Sequence, residues 1–127
     1  MSGIRKFLTQ VVFGAGVSPA VEALTDGSSV AIDASKGNVF AWPLGGSSHT
    51  LGAPSNPTDG QVIRVRIKYS GSYTPLFNSV FDFAAVGAPA WSAASGKTDL
   101  AAFEYDAALN GGAGEWAYLG AQLGLTS

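Results

Sequence analysis

The residues able to do chemistry are few and scattered in this chain. His49 is the only histidine among 127 residues, and there is no cysteine. Zinc and iron–sulfur sites built on cysteine or on two histidines are therefore excluded, as is a thiolate nucleophile. A serine–histidine–carboxylate triad needs His49 beside two partners that sequence alone does not place, so we interpret His49 as structural.

The nine acidic residues do not form a recognisable metal or acid–base motif. They fall mostly in predicted turns or on the polar faces of predicted strands, without EF-hand spacing. Asp59 and Asp99 are interpreted as groups that cap turns. We expect no metal, no cofactor and no enzymatic activity, with calcium at clustered loop ends as the remaining alternative.

Residues 95–98 read SGKT, like the end of a phosphate-binding loop. Such a loop also has a glycine five positions before Gly96, where this chain has Trp91, and a helix after it. We therefore interpret the segment as a surface turn. The net charge of −2 gives no broad basic field, so nucleic-acid binding is not expected.

The most regular pattern in the chain is a basic row on an alternating segment. Residues 56–61, NPTDGQ, are a turn cluster, and residues 62–69 then alternate apolar with basic side chains. The basic ones are Arg64, Arg66 and Lys68. This period of two predicts a half-buried strand of an antiparallel sheet with one core face and one basic face.

Two interpretations of the basic row remain open. It is either a solvated face paired with Glu104 or Glu115 across the sheet, or a contact face for an acidic partner surface. Trp91 lies in a loop of glycine, alanine, serine and proline, and is the aromatic residue best suited to anchor an interface.

Composition also points towards partners. Only 13% of the residues are charged, so a free monomer would lack the usual charged coat. We interpret this as a surface partly covered by other subunits; the alternative is a compact surface rich in serine, threonine and glycine.

Residues 1–20 are predicted to form an N-terminal arm. Ile4, Phe7, Leu8 and Val11 have near-helical spacing and can dock on a neighbouring subunit, or else pack locally. The segment is too short and polar to span a membrane, and polar residues and glycines interrupt it too often for a signal peptide.

Strand and turn signals recur every 8 to 14 residues from Val21 to the end, without a convincing helical window. Among them are a strand over residues 39–44 and a hairpin connection at Asn110–Gly114. They predict a single domain over residues 21–127. Its fold class is all-β: an antiparallel β-sandwich or jelly-roll-like barrel of eight or nine short strands.

The order of these motifs resembles a small β-sandwich domain of tailed-bacteriophage virion proteins, found in capsid decoration proteins and in tail-fibre or baseplate-associated chains. The matching segments cover roughly residues 30–120: AIDASKGNVFAWPL (31–44), HTLGAPSNPTDGQVIRVRI (49–67), SVFDF (79–83), KTDLAAFEYD (97–106) and EWAYLG (115–120). After the long strand the chain departs from the pattern, reading KYSG where relatives have a glutamine and a glycine-rich turn.

The resemblance implies a scaffold without catalytic residues, to which Asn56, Pro57, Asp59, Gly60, Asp99 and Trp116 belong. It implies a decoration protein, made in the host cytoplasm, that binds the major capsid protein on the outer surface of the virion, as a homotrimer. The alternative is a receptor- or glycan-binding module of a tail fibre or baseplate, with Trp42, Trp91 or Tyr73 stacking on sugars.

Overall fold

The computed structural model describes residues 20–127, which form nine strands. The predicted arm residues Ile4, Phe7, Leu8 and Val11 lie outside this range. The strands are β1 (Val21–Ala23), β2 (Ser29–Val30), β3 (Val39–Leu44), β4 (Thr50–Leu51), β5 (Val62–Tyr69), β6 (Leu76–Phe77), β7 (Phe81–Asp82), β8 (Lys97–Asp106) and β9 (Glu115–Thr126). The predicted all-β fold class is confirmed.

The strands form two sheets with one core between them. The larger sheet has six strands in the order β1-β3-β5-β8-β9-β7, and the smaller has three in the order β2-β4-β6. Up to β6 the chain alternates between the two sheets. Each time the chain comes back to a sheet, its new strand lies beside the previous strand of that sheet and runs parallel to it.

Strand direction differs from the expected antiparallel pattern. Five of the seven strand pairings are parallel, and only β5–β8 and β8–β9 are antiparallel. Parallel neighbours need a crossover connection. In four of the five parallel pairs the crossover runs through a strand of the other sheet, and β7 is joined to β9 through β8 of the same sheet. An antiparallel sandwich is instead built mainly from hairpins.

The alternating segment is β5, and its two faces separate as predicted. Ile63, Val65 and Ile67 are fully buried, whereas the basic side chains between them are exposed. The preceding turn is held by side chains. Gln61 Nε2 donates to the carbonyls of Ala34 (2.8 Å) and Gly37 (3.2 Å), which locks β5 to the turn before β3.

Pro43 lies near the end of β3, an interior strand of the larger sheet. The pairing of β1 with β3 stops at Ala41, so no β1 residue lies opposite Pro43. A proline, which has no backbone N–H to donate, is tolerated at this position because no neighbouring strand forms hydrogen bonds on that side of β3.

The two longest strands, β8 and β9, form a hairpin through the predicted Asn110–Gly114 connection. Gly114 has a φ of +85°, and a Cβ atom at this position would collide with the hydroxyl end of Tyr105. A glycine is therefore required by both the backbone conformation and the ring above it.

An aromatic cluster joins the two sheets. Phe77, on β6, lies at its centre, with ring centroids 6.0 Å from Trp42 and 5.9 Å from Phe103, which belong to the larger sheet. Edge-to-face contacts with Phe81 and Phe83 extend it. Such pairs add to the burial of apolar area and fix how the two layers meet.

Candidate functional site

The basic row lies on the face of the larger sheet that points away from the core, here called the outer face. Arg64, Arg66 and Lys68 are all exposed on it. Their in-register neighbours on either side are uncharged: Val39, Ala41 and Pro43 on β3, and Ala102, Leu100 and Thr98 on β8. This part of the outer face is therefore a row of cations flanked by uncharged side chains, of which Val39 is itself buried.

The expected pairing of this row with Glu104 or Glu115 is not formed. Among residues 20–127 the only ion pair joins His49 to Asp26. Glu104 lies in register with Val62, one pleat beyond Arg64, and Glu115 lies farther along the sheet beside Asp106. Among the described residues the basic side chains are exposed, as the solvated-face interpretation expects, but the ion pairs with Glu104 or Glu115 are absent.

Carboxylates cluster at the other end of the outer face. Strand register places Asp82 and Glu104 on either side of Ala117, and Asp106 opposite Glu115 one pleat further along. Partial burial raises the pKa of Glu115, and the nearby charge of Asp82 and a hydrogen bond to it raise it further. The outer face thus has an acidic end and a basic row.

Trp91 packs on the aromatic cluster. Its ring stacks on Phe77, with centroids 5.3 Å apart and planes inclined by 23°, and Phe83 meets it edge-on. The side chain is half-buried, so one part contacts the core and another faces solvent. Its role as an interface anchor stays a prediction.

Asp99 is the only fully buried charged residue in the part of the chain that the structure describes. Its two carboxylate oxygens accept hydrogen bonds from the Tyr69 hydroxyl (2.7 Å), the Ser92 N–H (2.8 Å), the Ser92 hydroxyl (2.6 Å) and the Gly124 N–H (2.8 Å). Burial alone raises the pKa of Asp99, but these four donors outweigh it and leave the pKa lowered. Asp99 therefore ties β5, β8, β9 and the loop around Trp91 together.

Asp26 forms a second node, which includes the single histidine. Its carboxylate accepts hydrogen bonds from Trp42 Nε1 (2.8 Å) and the Gly45 N–H (2.9 Å), and His49 Nδ1 lies 3.0 Å from both oxygens. A hydrogen-bonded histidine and carboxylate are two of the three members of a catalytic triad, whose third member is a nucleophilic serine. However, no serine hydroxyl hydrogen-bonds to His49 within residues 20–127, so the pair anchors the β3–β4 loop to the core.

The Asp26 node predicts an acid-sensitive stability. Burial raises the pKa of Asp26, but hydrogen bonds from Trp42, Gly45 and His49 lower it more, so the folded state favours the carboxylate. This stabilisation is present at neutral pH and is lost as the pH falls from about 5 towards 2. We expect Asp26→Asn to lower the free energy of unfolding by about 2 kcal/mol at pH 7 and by much less at pH 2.

Urea denaturation at several pH values measures this difference. Glu104→Gln is the matched control, because the exposed Glu104 side chain makes no ion pair among the described residues. If Asp26→Asn lowers the free energy of unfolding equally at pH 7 and pH 2, the ionised node does not stabilise the fold.

The remaining sequence features have structural explanations. The SGKT segment leads directly into β8, with Gly96 in a turn at a φ of +80°, so no helix follows it. Asp59 accepts a hydrogen bond from the Ala107 N–H at 3.0 Å, in agreement with the predicted capping role.

Residues 20–127 contain no group of three or more acidic or histidine side chains placed to hold a metal ion. None of the helices in that range has the length and apolarity to cross a membrane.

Comparison with protein-family models, with curated proteins and with solved structures finds no match for this chain. Its site must therefore be argued from its own residues.

Sequence reasoning located the basic row but missed the acidic end. The four carboxylates come from three strands, and only the register of β7, β8 and β9 brings Asp82 and Glu115 beside Glu104 and Asp106. The spacing of the acidic residues could have indicated this end. Glu104 and Asp106 are two residues apart, so they share one face of β8, and Glu115 begins the strand joined to β8 by a predicted hairpin.

Proposed function

We propose that this chain is a structural protein of a tailed-bacteriophage virion, and most concretely a capsid decoration protein. In this role it binds the major capsid protein on the outer surface of the head and stabilises the lattice. It acts by contact and catalyses no reaction of its own.

The outer face is the observation that carries the proposal. It presents apolar side chains and three cations without carboxylate partners in residues 20–127, on a sheet made rigid by a continuous core. Such a surface favours contact with another protein over exposure to water. Repetition over many copies of a lattice supplies stable attachment from modest individual contacts.

The motif positions support the same role, because each has a structural task. Gly60 has a φ of +82°, Asp99 organises four donors, and the buried Trp116 packs on Tyr105 at a centroid distance of 5.1 Å. A segment whose distinctive residues all maintain the fold is typical of a scaffold.

The alternative, a receptor- or glycan-binding module of a tail fibre or baseplate, has weaker support. Sugar stacking needs an accessible aromatic face, and the aromatic side chains in residues 20–127 are either buried or only partly exposed. Trp42 was expected as a stacking residue, and this expectation is wrong: its ring is fully buried and its N–H is bound to Asp26.

Locating the chain in a particle tests the proposal. A bulky fusion at the C-terminus, seen by low-resolution electron microscopy, is expected to decorate the head at regular lattice positions. Density only at the tail, or binding to sugars rather than to undecorated heads, would contradict it.

In the same assay, deletion of residues 2–18 is expected to reduce head occupancy if the arm contacts a neighbour, and unchanged occupancy would remove the arm from the mechanism.

A further inference from the structure

The outer face carries both signs of charge in separate places. Arg64, Arg66 and Lys68 occupy three successive pleats of β5. The acidic end, formed by Asp82, Glu104, Asp106 and Glu115, lies beyond the first of these pleats on β7, β8 and β9. The two patches are therefore neighbours on one continuous surface.

A shallow depression lies beside the basic row, on β8 and β9. It is lined by polar and apolar side chains alike: Arg64, Leu100, Ala102, Leu119, Gly120, Ala121 and Gln122. Leu119 is 54% exposed and adds apolar surface to this lining. A complementary surface can fill such a depression.

The two patches do not neutralise each other among the described residues. No ion pair joins them in the described residues, although Arg64 lies diagonally across from Glu104. Within the acidic end, carboxylates face other carboxylates, as Asp106 does Glu115. Both patches would gain from charges supplied by another molecule.

Charge complementarity distinguishes three possible occupants of this face. Residues 1–19 contain Arg5 and Lys6 but no acidic residue, so by charge they complement only the acidic end. A purely acidic partner complements only the basic row. A second copy of the same face complements both patches: the acidic end of each copy can contact the basic row of the other.

We infer that the outer face binds the outer face of a second copy of this chain, with the basic row of each copy against the acidic end of the other. A two-fold arrangement allows both charge contacts to form at once, because an isologous interface uses the same patch twice. The depression on β8 and β9 then lies near the two-fold axis, where the sheets approach most closely. This inference gives the outer face a different occupant from the capsid, so the two contacts compete for one surface. It also differs from the homotrimer implied by the sequence resemblance.

Charge reversal on each patch tests the inference. The two variants are Arg64→Glu with Arg66→Glu, and Glu104→Lys with Glu115→Lys. Asp82 and Asp106 are left unchanged, because their carboxylates cap turns at Ala84 and Ala108. Lys36→Glu, a charge reversal away from the outer face, is the matched control.

Sedimentation equilibrium at micromolar concentration measures the result. We expect the wild-type chain and the control to have the mass of two 12.9-kDa chains. Each double reversal is expected to weaken association by roughly 100-fold or more, because like charges then face each other. An equimolar mixture of the two variants is expected to restore the two-chain mass, since opposite charges meet again.

The mixture keeps the test independent of folding, because restored association requires both variants to be folded. A wild-type mass of one chain or of three chains would overturn the inference. So would a mixture that stays at the mass of one chain while both variants give the circular dichroism spectrum of the wild type.

Discussion

Replacing Asp99 by asparagine is expected to lower the free energy of unfolding by about 3 kcal/mol. The carboxylate accepts four hydrogen bonds inside the protein, two of them from the backbone N–H groups of Ser92 and Gly124. An asparagine presents an amide nitrogen in place of one oxygen, so one buried N–H then faces another donor and loses its acceptor. Asp99→Ala removes all four acceptor contacts, and we expect a loss of about 4 kcal/mol.

Urea denaturation of three variants separates this effect from a general sensitivity of β8. Tyr69→Phe removes a single donor and leaves the carboxylate with three, so a loss of about 1 kcal/mol is expected. Glu104→Gln, five residues along the same strand, is expected to change the stability of the isolated chain by about 0.5 kcal/mol or less. An Asp99→Asn variant as stable as Glu104→Gln would contradict the assignment of Asp99 as the central node.

The second large effect is expected at the aromatic cluster. Phe103 is fully buried, and its ring lies 4.9 Å from Phe81 and 5.8 Å from both Phe83 and Tyr118. Phe103→Ala leaves a cavity between the two sheets, because the surrounding rings belong to several different segments and cannot all move to fill it. We expect the free energy of unfolding to fall by about 4 kcal/mol.

Leu119→Ala is the matched control for this substitution. It also removes a large apolar side chain from the long hairpin, but that side chain is more than half exposed. Its effect on the stability of the isolated chain is expected to be about 0.5 kcal/mol or less. Similar losses for the two variants would show that the cluster does not join the sheets as described.

Local patterns were sufficient to predict the strands. The two faces of β5 follow from alternation alone, and β3 occupies the predicted residues 39–44. The Asn110–Gly114 connection follows from its glycines, which accept positive φ values. These features depend on neighbours in sequence, so the sequence contains the information needed to find them.

Strand direction could not be predicted in the same way. Alternation specifies which face of a strand is buried but not which strand lies beside it. β1, β3 and β5 are parallel because the chain crosses to the smaller sheet between them. The strands of that sheet have two residues each, too few for alternation to show which sheet they join. A pattern of strands and turns was therefore interpreted as a series of hairpins.

The site shows the same division. The basic row lies within a single strand and was found directly. The Asp26 and Asp99 nodes join residues 7 to 30 positions apart. In sequence, these carboxylates resemble ordinary turn residues, and only tertiary packing shows which of them are buried and how many donors each one accepts.

Zero-length carbodiimide cross-linking of the wild-type chain tests the contact surface most directly. Lys68 is in register with Thr98, and Glu104 with Val62, so within one chain Lys68 and Glu104 lie six residues, or about 20 Å, apart along the sheet. A direct amide bond between them therefore reports contact between two chains. In an equimolar mixture of unlabelled and 15N-labelled chains, we predict mixed-isotope peptides that join Lys68 to Glu104 or Glu115. Cross-linked material without these peptides, or none at all at concentrations where the chain self-associates, would contradict a face-to-face pair.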